Sequence, residues 1–148
     1  MSAPLNNKFW QFRNKHGRGF EYTPENLWDE AIKYFEWIEA NPLKEDSVNF
    51  YQGQPTHEPI EKMRAMTIIG FCLYADIDTV TFYNYRKNKD YINTITRIEN
   101  IIRDQKFSGA AADLLNPNII ARDLGLVDKQ DHTNDGGKFE PPMIKFYE

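Results

Sequence analysis

Residues 67–87 read TIIGFCLYADIDTVTFYNYRK, and the reading of this stretch decides the fold. Thr67 is a good side-chain N-cap for a short helix through Tyr74, and Asp78 stands in the same position before a second one that begins at Thr79. Cys72 is small where the first helix must let the second cross closely. Asp76 occupies the turn where glycine is common, and Asp tolerates left-handed backbone better than most residues. Ile77 is expected to point inward, with Phe82 and Tyr85 forming the buried face of the second helix. Thr79, Val80, Tyr83, Asn84 and Lys87 then face outward, and Lys89 follows just beyond. Asn can read adenine bidentately, Lys can bond guanine or phosphate, and Tyr can stack or bond phosphate. Residues 67–88 are therefore a candidate helix-turn-helix. A helical corner with no role in DNA contact would carry the same pattern.

The flanking chain divides into three parts. Residues 1–22 lack clear periodicity and read as an arm, with Gly17 and Gly19 as flexible points. Residues 23–126 read as a helical core. Thr23-Pro24 starts a helix, since Thr supplies the cap oxygen and Pro suits the first helical position. Leu27, Ala31, Tyr34, Phe35 and Ile38 recur at helical spacing up to Asn41-Pro42. Within residues 47–58, a strand-like run followed by Gly53 and Pro55 fits a hairpin or an ordered loop. From Lys62 onward the chain reads as helical again. Asp90 precedes a longer helix with an apolar seam at Tyr91, Ile95, Ile98 and Ile102. Gly109 and residues 110–112 make a small-residue patch that suits the close approach of another backbone. Asn116-Pro117 breaks that segment and starts another, closed by Gly125. Residues 127–148 form a polar, glycine-bearing linker and then MIKFYE, whose alternation predicts a C-terminal strand. One strand is unstable alone, so it is expected to pair with the body or with neighbouring copies.

Composition narrows the function. The net charge of −4 over 148 residues excludes a uniformly basic DNA binder. Its distribution is uneven: residues 1–20 hold Lys8, Arg13, Lys15 and Arg18 with no acid, residues 21–63 sum to −7, and residues 86–106 sum to +3. Two basic surfaces on an acidic body, or merely solvated helix faces, both fit. In the arm, Phe9, Trp10 and Phe12 interleave with the bases, as phosphate contact or aromatic anchoring to the body would require. Cys72 is the sole cysteine, so a disulfide framework and a cysteine zinc site are excluded. His16, His57 and His132 lack ligand spacing, no phosphate-cradling GxxxxGK[ST] occurs, and no nucleophile elbow appears. The expectation is a non-catalytic protein with no metal and no cofactor. With no apolar run long enough for a bilayer and a polar N-terminus, it is expected to be soluble and not exported.

Several blocks together carry a family likeness: NKFW (Asn7–Trp10), NKHGR (Asn14–Arg18), YFEWIEANPL (Tyr34–Leu43), KMRAMTIIGFC (Lys62–Cys72) and KFSGAAADLLNPNIIARDLGL (Lys106–Leu126). In that order and spacing the chain resembles the small terminase subunit of headful-packaging tailed bacteriophages, over most of its length to about Lys129. The resemblance implies a mainly α, helix-turn-helix-containing domain with a small β-hairpin and a C-terminal strand, assembled as a homo-oligomeric ring, a nonamer. It implies recognition of the packaging-initiation site in double-stranded phage DNA and delivery of that DNA to the large ATPase-nuclease subunit. It further implies action in the host cytoplasm during assembly and absence from the mature virion. Lys8, Arg13, Lys15, Arg18, Thr79, Tyr83, Asn84, Lys87 and Lys89 are the candidate DNA contacts. Two departures stand out. Position 117 is Pro where relatives usually have Ala, and residues 131–148 carry −2 where some relatives have a strongly basic, DNA-binding tail. The second shifts the expected DNA contact to the helix-turn-helix and the arm. The alternatives are a phage helix-turn-helix regulator, more often a dimer on a palindrome, and an assembly adaptor of the ATPase with weak DNA contact.

Overall fold

A computed structural model describes residues 21–126 of the chain. The arm bases Lys8, Arg13, Lys15 and Arg18, the linker and the expected C-terminal strand lie outside the described residues. The first helix, α1 (Pro24–Ala40), begins as its sequence dictates: the Thr23 hydroxyl accepts from the Asn26 N–H at 3.2 Å, and Pro24 opens the first turn. Its buried stripe is Leu27, Ala31, Tyr34 and Ile38, with Phe35 half-buried beside it. The Asn41 amide folds back on the Trp37 carbonyl at 2.9 Å, and Pro42 ends the run.

A hairpin follows. Strand β1 (Leu43–Tyr51) pairs antiparallel with β2 (Gln54–Lys62), in a register running from Leu43 opposite Lys62 to Tyr51 opposite Gln54. The two-residue loop, Gln52-Gly53, has φ of 50° and 78°. Two consecutive positive φ values give the primed turn whose twist matches that of the flanking strands. The hairpin is longer than residues 47–58. Lys62 is its last residue and the next helix starts at Ile68, which corrects the helical reading from Lys62. The physical reason is that β2 is exposed along its whole length and holds Pro55 and Pro59, so it leaves no alternation of burial for a sequence to reveal. Proline is tolerated because each strand of a two-stranded sheet is an edge.

Four helices complete the core: α2 (Ile68–Ala75), α3 (Thr79–Arg86), α4 (Ile92–Ala111) and α5 (Pro117–Asp123). Phe71 of α2, Phe82 of α3, and Ile95, Ile98 and Ile102 of α4 close over the α1 stripe, all essentially inaccessible. Each such side chain contributes roughly 1.5–3 kcal/mol through burial. Of the seam expected on α4, the three isoleucines are buried and Tyr91 is half-buried at the N-cap. The Asn116 side chain caps α5, accepting from the N–H groups of Asn118 and Ile119 at 3.1 Å, with Pro117 next to it. Gly125, at φ 69°, follows the helix end.

The small-residue patch does not act as one surface. A Cβ on Gly109 would lie 2.7 Å from Leu115 Cδ1 and 2.8 Å from Met63 Sδ, so Gly109 accommodates side chains of its own chain. Ala111 and Ala112 are exposed. Among the described residues no helix is long and apolar enough to cross a membrane.

Gly70 admits a tighter contact still. Its Cα faces the Tyr34 hydroxyl, which donates to the Thr67 carbonyl at 3.2 Å and lies 3.1 Å from the Thr67 N–H as its acceptor. The Gly70 N–H in turn bonds the Thr67 hydroxyl at 2.8 Å. A Cβ there would sit 2.6 Å from the Tyr34 hydroxyl and 2.8 Å from that of Thr67. Gly70→Ala should therefore destabilise the protein by about 1–3 kcal/mol, outweighing the roughly 1 kcal/mol of helix propensity that Ala offers. A denaturant midpoint equal to or above that of the unmodified protein would refute the assignment.

Candidate nucleic-acid interface

The α2–α3 corner starts from the cap just described. Asp76 ends α2 in left-handed geometry, φ 55° and ψ 45°. The Ile77 N–H returns to the Cys72 carbonyl at 3.0 Å, and Ile77 is buried. Asp78 occupies the N-cap position of α3 in extended backbone, but its carboxylate makes no capping bond; the first turn is held by the Phe82 N–H on the Asp78 carbonyl at 3.1 Å. Phe82 meets Phe71 edge-on, at 6.0 Å and 73°. With Phe82 pinned inward, the helical period sets the rest.

The outer face of α3 carries Val80, Tyr83, Asn84 and Lys87, all exposed, with Lys89 exposed just beyond. Thr79 is only half-buried, so it stands at the edge of that face and not at its centre. Tyr83 meets Phe82 edge-to-face at 5.9 Å and remains exposed. Arg86, which the sequence reading did not include, lies over the Tyr83 ring at 5.7 Å and pairs with Glu99 of α4. Its hydrogen bond to Glu99 raises the guanidinium pKa further, so the charge is permanent.

Several cations of the stretch 86–106 have partners within the chain while remaining at the surface. Besides Arg86, Arg97 stacks over Trp28 at 4.9 Å, and Arg103 donates to the Leu124 carbonyl at 3.3 Å. Lys106 is buried, its ammonium 2.5 Å from Asp123, where it ties α4 to α5. Lys87 and Lys89 remain, with no ion pair among the described residues. Both follow the last turn of α3, where cations also favour the negative end of the helix dipole.

One feature had no sequence signal. Tyr22, the first residues' link to α1, is bonded through its amide, its carbonyl and its side chain. Its hydroxyl donates to the Ala75 carbonyl at 2.7 Å, its N–H donates to the Tyr85 hydroxyl at 3.3 Å, and its carbonyl accepts from the Tyr91 hydroxyl at 2.7 Å. Tyr85 and Tyr91 stack at 4.5 Å with their planes 4° apart. Burial, with Glu30 and Asp76 nearby, pushes the Tyr22 phenol up to about 12, so it stays a donor at neutral pH. Three tyrosines separated by 63 and 69 positions are joined by tertiary structure alone.

The other reactive residue types are accounted for locally. Burial pushes the Cys72 thiol up to about 12, which keeps it protonated and unreactive. His57 pairs with Asp46 across the hairpin at 2.9 Å. Among the described residues no group of three or more His, Cys, Asp or Glu side chains is placed to hold a metal ion.

A family model described as DNA-packaging protein gp3 matches residues 17–132 of the chain. The chain is also 52% identical to the terminase small subunit of Salmonella phage P22 over 141 residues, covering 93% of this chain and 87% of that protein.

Proposed function

We propose, for a chain that belongs to the gp3 family of DNA-packaging proteins and serves phage genome packaging as a small terminase subunit, a DNA-contact surface on the outer face of α3. The carrying observation is that Lys87 and Lys89 stand exposed beside Asn84 and Tyr83, while the neighbouring cations are engaged within the fold. On this reading residues 67–88 are a helix-turn-helix. Asn84 and Tyr83 read or stack on bases, Lys87 and Lys89 bond phosphates, and Thr79 touches the margin. The arm residues Lys8, Arg13, Lys15 and Arg18 add phosphate contacts.

The subunits form a homo-oligomeric ring, a nonamer, around which or through which the packaging-initiation region is held and passed to the large ATPase-nuclease subunit. The ring has no catalytic role of its own and works in the host cytoplasm during assembly. Exposed apolar side chains support assembly: Phe50 and Tyr51 near the hairpin tip are 75% and 71% accessible, and Phe107, Leu114 and Ile119 are exposed around the α4–α5 junction. Repetition explains how a chain of net charge −4 binds DNA. Linked copies of a weak basic surface raise avidity by roughly 10²–10⁴ without stronger individual contacts.

Native mass measurement at micromolar concentration should show one discrete species well above a tetramer. That same species should bind duplex DNA with an affinity that falls steeply with salt, and Asn84→Ala should reduce discrimination between sequences more than overall affinity. A monomer or dimer sinks the ring and favours a regulator. A ring whose DNA binding is weak and insensitive to salt favours an adaptor of the ATPase.

A further inference from the structure

We propose that Tyr22, Tyr85 and Tyr91 form a positioning lock that sets the angle of α3 against the body, and so determines how selectively its outer face reads base sequence. The proposal rests on the DNA-contact reading of α3 and deepens it by naming half-buried residues that act from behind the contact surface.

Helix α3 is eight residues long and has no side-chain capping bond at Asp78. Phe82, edge-on to Phe71 of α2, pins it at one point. A helix held at one point can rock about it. Tyr85, three residues on, supplies a second anchor. Its ring stacks on Tyr91, the N-cap residue of α4, at 4.5 Å and 4°. Its hydroxyl accepts the Tyr22 N–H at 3.3 Å, while the Tyr22 carbonyl accepts from the Tyr91 hydroxyl at 2.7 Å. The Tyr22 hydroxyl donates at 2.7 Å to the carbonyl of Ala75, the last residue of α2. One residue is thereby bonded to the last turns of α2 and α3 and to the start of α4. The Arg86–Glu99 pair also ties α3 to α4, but through a half-exposed guanidinium, and such ion pairs hold weakly.

Asn84 directly precedes Tyr85, so it stands on the half of α3 that the lock holds. The two kinds of DNA contact differ in how much misalignment they bear. A bidentate bond from Asn to adenine needs both donor and acceptor in line, and hydrogen bonds weaken steeply below about 120°. Lysine carries its charge on a flexible four-carbon stem and finds a phosphate from many angles. A rocking α3 therefore loses base discrimination first and keeps its salt-dependent affinity for any duplex. Tyr22, Tyr85 and Tyr91 are positioning residues, since their effect reaches the bases through Asn84.

The test uses the full-length chain. Random-sequence duplexes are enriched by repeated selection on the unmodified protein, and discrimination is the ratio of affinities for the enriched and the starting pools. Tyr85→Phe removes the hydroxyl that accepts the Tyr22 N–H and keeps the stack on Tyr91. Its discrimination should fall by about two- to tenfold, the range one lost hydrogen bond carries, with the salt dependence of binding unchanged. In an Asn84→Ala background the same change should have no further effect, because the contact it misaligns is gone. Tyr34→Phe is the structural control. It removes a hydroxyl bonded to Thr67 at the other end of α2 and should leave discrimination as it was. Unchanged discrimination in Tyr85→Phe overturns the lock, provided Asn84→Ala lowers it. An equal loss in Tyr34→Phe, or in the Asn84→Ala background, overturns it too, because the effect then runs through the fold at large. Should no duplex be enriched, or Asn84→Ala leave discrimination intact, the base-reading role of α3 fails first, and the lock falls with it.

Discussion

Phe82→Ala should lower the stability of the protein by about 3–5 kcal/mol, the cost of emptying a fully buried aromatic site. Phe82 is inaccessible to solvent, meets Phe71 edge-on, and is the buried anchor of α3. Phe82 is the one fully buried residue of this eight-residue helix, whose Asp78 makes no side-chain capping bond; Tyr85 and Arg86 add contacts nearer the surface. A helix this short is marginal without tertiary packing. The loss should therefore reach function, because the outer face keeps its orientation only while Phe82 stays inside. Val80→Ala is the internal control. Val80 is 67% accessible on the same helix, and its truncation should change stability by no more than about 0.5 kcal/mol. Denaturant midpoints at one fixed protein concentration decide the matter. Comparable losses at the two positions would mean that α3 does not have the orientation described.

The second large effect concerns charge. Changing Lys15, Arg18, Lys87 and Lys89 together to Ala should flatten the dependence of DNA affinity on salt. Each phosphate contact removed lowers the slope of log K against log salt by about 0.9, so four contacts remove about 3.6. Binding at low salt should fall most, since that is where counterion release favours the complex. The fold should persist, because Lys87 and Lys89 make no ion pair among the described residues, and the proposed ring should persist with it. Filter binding or fluorescence anisotropy across a salt series measures the slope, and native mass checks the assembly. An unchanged slope on an intact ring would move the DNA surface elsewhere on the molecule.

Where information lay close together in the chain, it was legible without the fold. Thr23-Pro24, Thr67 and Asn116-Pro117 announced helix starts, and each cap carries the expected side-chain bond. The period of Leu27, Ala31, Tyr34 and Ile38 marked the buried stripe of α1, and Ile95, Ile98 and Ile102 marked that of α4. Asp76 was correctly read as the left-handed turn residue. These features depend on backbone geometry within one or two turns, so neighbouring residues suffice to specify them.

Other features were decided only when distant segments met. The hairpin extends to Leu43 and Lys62 because cross-strand bonds hold residues whose burial shows no alternation. Gly109 serves contact with Leu115 and Met63 instead of leaving an open patch, since the turn after α4 folds back on it. Lys106 looked like one more surface cation until Asp123 was brought against it, and Arg86 met Glu99 in the same way. The Tyr22–Tyr85–Tyr91 cluster spans elements that no local pattern relates. Sequence by itself thus determined the capped starts of three helices, the core faces of α1 and α4, and the family. Tertiary structure decided which charges are paired and how Tyr22 is fastened, because both depend on partners that only the folded chain brings within bonding distance.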